Sequence, residues 1–452
     1  MKRVLLIFGA LAATMTASAQ LRLQRYNHGT AEPTVYIISA SETDTISCYP
    51  QGCNQQDLAM KNSAVRAAID DHKSATRSGY QQVSMPSAIF ADKRNTFSFA
   101  IGGDIALRAA YSFDRTVNNI DMVPYNVPMT LTPADKQEIR MDATTSRLFI
   151  RGIANTKKLG QVHVFMDFDF RGGATGSYMP RVRSGYVQML GLTIGRDVTT
   201  FCDLNAAPTT IDFQGPNAYN FNFNEMIRYE RSFVRNHLTF GVAAEMPSVD
   251  GTYGENFSPI YQRVPDGIAY LQFNWGENRS SHIRASGVIR DMYLHDNING
   301  KNTTQVGWGA QLSGHINITR WVDLYMNGVY GRGIPPYIQD LAGAPYDITY
   351  NPNNPQKAQT MPMWGWQAAA QINIIPGIMW VAGGYSEVHL EEHNGIISGN
   401  QYKRGQYIFG NAFCNVTPNL TVALEYLYGG RDDISGTKSN ANRISIMAQY
   451  NF

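Results

Sequence analysis

Residues 97–113, FSFAIGGDIALRAAYSF, place Phe97, Phe99, Ile101, Ile105, Leu107, Ala109, Tyr111 and Phe113 on one parity and Ser98, Asp104, Arg108 and Ser112 on the other. A period of two is the mark of an extended strand with one apolar and one polar face. A soluble sandwich would alternate as well, but a run of this length with aromatics near both ends fits a strand tilted across a bilayer. Strands satisfy their backbone in lipid only by closing into a barrel, which turns the polar face toward a wet lumen.

Segments of the same type recur about sixteen times, from 97–113 to 441–452. An even count returns both ends of the wall to the same side. Short turns near Lys157, Gly191, Asn236, Asn278, Asn317, Gly377 and Asn419 alternate with long connections, of which 114–141 and 333–361 are rich in Pro and Asn. The expected fold is all-β, a transmembrane antiparallel β-barrel of about sixteen strands over residues 96–452. No stretch after the leader reaches the eighteen or so apolar residues of a membrane helix, since INIIPGIMWVAGG from Ile372 is broken by Asn373 and Pro376.

The leader is MKRVLLIFGALAATMTASAQ, with Lys2 and Arg3 ahead of a short apolar run and the small-x-small triplet Ala17-Ser18-Ala19. It reads as a signal peptide over residues 1–19. Removing Lys2 and Arg3 from 38 basic residues leaves 36 against 36 acidic ones, so the exported chain has no basic excess of the kind a nucleic-acid binder carries. With 25 Tyr, 20 Phe, 40 Gly and only 16% charged residues, the composition suits aromatic girdles and turns. Cys48 and Cys53 bracket a Tyr-Pro-Gln-Gly turn that an exported location allows to be bridged, and the spacing leaves that open. Residues 20–95 do not alternate. Leu58, Val65, Ala68 and Ile69 share one face of a helix that ends before Gly79, which predicts a periplasmic extension serving as a tail, a plug or an oligomerisation element.

One connection is unusual. Between the strand-like LTIGRDV at 192–198 and FNEMIRYERS at 223–232 lie about twenty residues with Pro208, Pro216, Asp203 and Asp212, long for a structureless link. This third loop is expected to fold into the lumen and set its bore. Strand parity places Asp104, Arg108, Arg147, Arg151, His163, Asp167, Asp169, Arg228, Glu230, His282, Arg284, Arg290, Asp323 and Glu425 inward. Arg108, Arg147, Arg151, Arg228 and Arg284 form a candidate basic strip for carboxylates or phosphates, or else pair with luminal acids and hold the wall together. Around Tyr186 the parity breaks, because Arg181 and Arg183 disagree with Gln188 and Arg196, and a bulge at Ser184-Gly185 would reconcile them.

GRDVTTF (195–201), IDFQGPN (211–217), IRYERS (227–232), RMDATTSRLFIRG (140–152) and PRVRSGYVQM (180–189) together resemble the DcaP-like porins, trimeric outer-membrane channels for small, often dicarboxylate, solutes. The resemblance implies a homotrimer and a third loop at 201–221 facing wall arginines. Arg196 departs from the uncharged residue expected there. The solute-binding candidates are Arg108, Arg147, Arg151, Arg196, Arg228, Arg284, Asp203 and Asp212. Partners are small anionic or polar solutes, outer-membrane lipids and, through an alternating last strand ending in Phe452, the barrel assembly machinery. No cofactor and no metal is called for: His389-Leu390-Glu391-Glu392-His393 matches a zinc pattern that needs a helix, whereas GGYSEVHL continues a strand. The competing readings are a phosphate- or sugar-selective channel, an adhesin or structural barrel, and a hydrolase built on His163 or His282.

Overall fold

The computed structural model describes residues 36–39 and 55–452 apart from 87, 93, 118, 119 and 175, so the leader and the Cys48–Cys53 turn lie outside the described residues. Eight strands make the first half of a ring: β1 (Phe97–Ser112), β2 (Arg147–Thr156), β3 (Gly160–Asp169), β4 (Arg181–Met189), β5 (Leu192–Val198), β6 (Phe223–Phe233), β7 (Leu238–Glu245) and β8 (Asp266–Trp275). The second half is β9 (Ser281–Asp296), β10 (Lys301–Thr319), β11 (Val322–Arg332), β12 (Pro362–Ile375), β13 (Met379–Leu390), β14 (Tyr402–Asn415), β15 (Leu420–Asp433) and β16 (Lys438–Asn451). Each strand pairs antiparallel with its neighbours, and β16 closes on β1 with Asn451 opposite Asp104 and Arg443 opposite Ser112.

The parity read from β1 holds. Ile105, Leu107 and Tyr111 point outward, while Asp104, Arg108 and Ser112 are buried on the inner side. The same division runs round the ring, with Leu271, Ile283, Leu312 and Leu424 outside and Asn274, Arg284, Ser313 and Glu425 inside. Every ladder bond is made between strands, which leaves an apolar exterior for lipid and a polar lumen.

Three local features differ from the sequence reading. Between β3 and β4, Asp167 pairs with Ser184 and Phe168 with Val182, so the extra residue is Arg183, one position before the expected bulge. It turns both Arg183 and Ser184 inward and restores the parity for Gln188. β10 runs on to Thr319 through a register shift after Asn317, which moves the turn to Arg320-Trp321. The long connections are also partly ordered: Glu138–Asp142 pairs with the far end of β1 in line with β2, and Ile348–Asn351 with Asn354–Gln359 forms a hairpin that joins Gly251–Thr252 in a small sheet.

The segment ahead of the barrel does not stand apart from it. Helix α1 (Gln55–Ser74) packs Val65 and Ala68 against Ile89, Ala91 and Ala100, the last on the inner face of β1. His72 Nε2 lies 3.2 Å from Ser98 Oγ, also inside. From Ala75 to about Met85 the chain runs as an arm within the mouth that carries the short turns.

Candidate functional site

The third loop leaves β5 at Val198 and rejoins the wall at Phe223, a residue paired directly with Val198. Buried Glu245 on β7 clamps both ends, accepting from Thr199 Oγ1 (2.7 Å), Thr200 N (2.6 Å) and Asn224 Nδ2 (2.9 Å). From there the loop crosses the lumen from wall to wall. Asp203 Oδ2 receives His282 Nε2 and Ser313 Oγ, each at 2.8 Å. Gln367 donates to the carbonyl of Ala206 (2.9 Å) and Asn411 to that of Thr209 (3.1 Å). Ile211 N and Asp212 N donate to the two oxygens of Glu425, at 3.0 and 2.7 Å. Asp212 itself accepts from Tyr407 OH (2.8 Å) and Met122 N (3.1 Å). Asn327 and Ser386 hold the backbone of Ala218, each at 3.0 Å. Loop backbone in a lumen needs partners for its N–H and C=O groups, and the polar inner face supplies them.

The wall arginines divide into two kinds. Arg108 bonds Asp121 (3.0 Å), lies 3.5 Å from Asp142 and reaches the carbonyl of Ile211 (3.2 Å). Arg147 pairs with Asp167 (3.2 Å from Nε), and Arg228 with Asp197 (2.8 Å) and Glu230 (3.0 Å). These three are tied to luminal acids. Arg151 and Arg284 have no carboxylate within salt-bridge distance among the described residues: Arg284 donates to the Thr200 carbonyl and lies 3.5 Å over the Tyr270 ring, and Arg151 donates to His72 O (3.0 Å) and Thr76 Oγ1 (2.7 Å).

Arg196 is a correction. It shares the outer face with Ile194 and bonds Glu225 at 2.6 Å, outside the lumen, while its neighbour Asp197 points in. The alternation of Thr193 and Asp197 against Ile194 carries that signal in the sequence. Arg77 and Arg183 also face the lumen, beyond the candidates that the sequence offers. Arg77 makes a two-pronged contact with Asp197 at 2.7 and 2.9 Å, and Arg183 lies 3.3 Å from Asp167 and 3.2 Å from Asp169.

Polar cavities remain around the loop. One of about 350 Å³ is lined by Arg77, Arg108 and Arg147 with a single carboxylate, Asp104. Another, of about 390 Å³, has Arg77, Arg228 and Arg284 beside Asp203 and Glu230. Both fall in the size range of small-molecule sites. Ser313 and His282 share one oxygen of Asp203, and in this arrangement the group anchors the loop.

On the side of the long connections, residues 334–347 and 120–127 pack over the loop. Asp340 ties the layers together, accepting from Tyr402 OH (2.6 Å), Tyr125 N (2.9 Å) and Asn217 Nδ2 (3.2 Å). Burial outweighs those donors and pushes its carboxyl up to about 6. A raised carboxyl stabilises the fold fully below its unfolded value near 3.9, and that stability is lost as pH rises through about 6. Melting followed between pH 4 and 7 should therefore show lower stability at the neutral end, by at most about 3 kcal/mol. Asp340→Asn should flatten this part of the profile, and an unchanged slope would refute the assignment.

Sixteen strands, a polar lumen and a loop laid across it define an outer-membrane channel of the porin class. Residues 55–331 match the DcaP outer membrane protein family, and the chain belongs to that family. Its structure resembles the outer-membrane channel DcaP of Acinetobacter baumannii with a TM-score of 0.68 at 18% identity, covering 79% of this chain and 97% of that one. It also resembles the loop L8 deletion mutant of OmpT, an outer membrane protein of Vibrio cholerae, with a TM-score of 0.51 at 12% identity over 79% and 100% of the two chains. No curated protein matches the chain. The barrel resides in the outer membrane of a Gram-negative cell, with the short turns toward the periplasm.

Proposed function

We propose that this channel lets small hydrophilic solutes diffuse passively, with a mild preference for anions such as dicarboxylates, and that it works as a homotrimer without a cofactor. The observation that carries the preference is the cavity beneath the third loop, where three arginines face one carboxylate. Arg151 and Arg284, which make no salt bridge among the described residues, add to the positive charge. Fields inside a narrow, low-dielectric passage are screened less than at an open surface and raise the local concentration of counter-charged solutes. The preference is mild because Arg77, Arg108, Arg147 and Arg228 are all paired with acids of the lumen. The trimer is the assembly implied by the resemblance to trimeric DcaP-like porins.

Planar-bilayer recording tests both parts. Insertion in three equal steps with an anion-weighted reversal potential is expected, and no conductance from folded protein would overturn the reading. Arg284→Ala removes a charge that makes no salt bridge among the described residues, so it should move the reversal potential toward cations by several millivolts of the ~59 mV that perfect selectivity gives in a tenfold gradient. If the potential stays where it was, Arg284 belongs to the wall and does not select.

A further inference from the structure

The arm between α1 and β1 lies where a solute would pass. Tyr80 N donates to Leu204 O of the third loop (2.7 Å), and the Tyr80 ring packs edge-on against Tyr219 and Phe221, at 5.3 and 5.5 Å between centroids. Gly79, at φ +112°, passes so close that a Cβ would sit 2.5 Å from the Leu204 carbonyl oxygen, so only glycine fits. The cavities of about 350 and 390 Å³ lie on either side of this crossing, and both are lined by Arg77 and Ser78. The arm thus divides one vestibule into compartments.

The arm is tethered by the Arg77–Asp197 ion pair and by bonds from Tyr80 and Gln81 to the Phe213 carbonyl, and three further contacts have its oxygens accepting from wall arginines. Gln81 O accepts from Arg147 (2.6 Å) and Gln81 Oε1 from Arg183 (2.9 Å). Arg151 takes Thr76 Oγ1 and the His72 carbonyl in the last turn of α1, where a cation suits the helix dipole. Three wall guanidiniums therefore each give a bond to a neutral oxygen of this segment, Arg151 with no carboxylate in salt-bridge distance among the described residues and Arg147 and Arg183 beside the Asp167 and Asp169 carboxylates that also hold them. A carboxylate offers the same donors a charge-assisted bond, roughly twice as strong as a neutral one.

We propose that residues 75–82 are a displaceable plug, a stand-in ligand that occupies Arg147, Arg151 and Arg183 until an anionic solute takes its place. The proposal rests on the channel reading above and adds how that site is regulated. Anion entry and arm release are then coupled, because each occupies the same donors and a ligand shifts an equilibrium only through its differential affinity for the two states.

Ser78 Oγ lies 3.2 Å from Asn205 Oδ1, which places a lock across the crossing. In a background with the four native cysteines replaced by alanine, Ser78→Cys with Asn205→Cys is joined by a short bis-methanethiosulfonate linker, which forms a reducible disulfide with each thiol and releases methanesulfinate. Succinate current is then measured in bilayers before and after reduction. The locked channel should pass several-fold less succinate than the reduced one, and equal succinate currents overturn the plug while leaving the channel reading intact. No current from either state overturns both. Should the cysteine pair fail to fold, Tyr80→Ala carries the test: a succinate current above that of the unaltered protein supports displacement, and an equal one overturns it.

Discussion

Replacing residues 204–217 by a short Gly-Ser linker is expected to raise single-channel conductance about two- to three-fold. Sixteen strands about 4.8 Å apart and tilted about 40° enclose a backbone cylinder of roughly 16 Å radius, and inward side chains leave a lumen of roughly 10 Å radius. A chain about 10 Å wide laid across that diameter covers roughly two-thirds of the opening. The wall should survive the deletion, because Val198 and Phe223 are already paired and Glu245 holds the stubs at Thr199, Thr200 and Asn224. The lower bound reflects the arm and the outer connections, which still obstruct the path. Conductance unchanged in a barrel that keeps its strand content by circular dichroism would mean that the loop does not set the bore.

The second large effect is expected at Arg290. Its guanidinium, fully buried, bonds Asp266 (2.9 Å), Asp347, and the carbonyls of Ser248 (2.5 Å) and Gly333 (2.8 Å). It fastens the 333–361 connection to the wall, with Tyr337 OH adding a bond to Asp266 at 2.8 Å. Truncating one partner of a buried ion pair strands the other, and Arg290→Ala leaves two buried carboxylates at once. The cost is about 3–5 kcal/mol, concentrated in this connection. Limited trypsin digestion at the exposed Lys357 reports it directly: cleavage should be fast in Arg290→Ala and slow in the unaltered protein. Resistance as high as in the unaltered protein would show that Arg290 is not the fastener.

Much of this was legible because a barrel wall has one rule. Each strand repeats with a period of two, so β1 alone established the apolar outside and the polar inside, and the other fifteen repeat it. The third loop was legible by length and by its acidic and proline residues. Bulges were harder. Arg183 is displaced by a register shift that obeys no composition rule, and the parity argument could say only that a shift was needed nearby. Arg196 lies on the outer face because Thr193, Ile194 and Asp197 alternate around it, whereas the break in parity at Arg183 leaves the register of this hairpin ambiguous from sequence. Which arginines keep a partner acid depends on neighbours brought close by closure, such as Asp121 to Arg108 or Asp347 to Arg290, and no local pattern encodes that. The arm was illegible for a related reason. Thr76, Arg77, Tyr80 and Gln81 each meet a different surface, so their spacing has no period to detect.

The seam between β1 and β16 has a consequence for how the protein is made. Asp104 meets Asn451, and Gly103 exchanges two backbone bonds of 2.9 Å with Phe452 at a place where a Cβ would come 2.8 Å from the Phe452 ring and 2.3 Å from the Arg147 carbonyl. Contacts so remote in sequence form late, because the intervening chain must be gathered first. Until residue 452 has crossed the inner membrane, the leading strand has a bare edge of the sort that templates aggregation. Ala88–Ala91 pairs with Ser98–Ile101, on the part of β1 that β16 never reaches, so the first strand emerges with about a quarter of its edge already shielded by the residues just before it. The stretch from Asp104 to Ser112 is a vacancy of fixed length, and the last strand to arrive is the one that fits it.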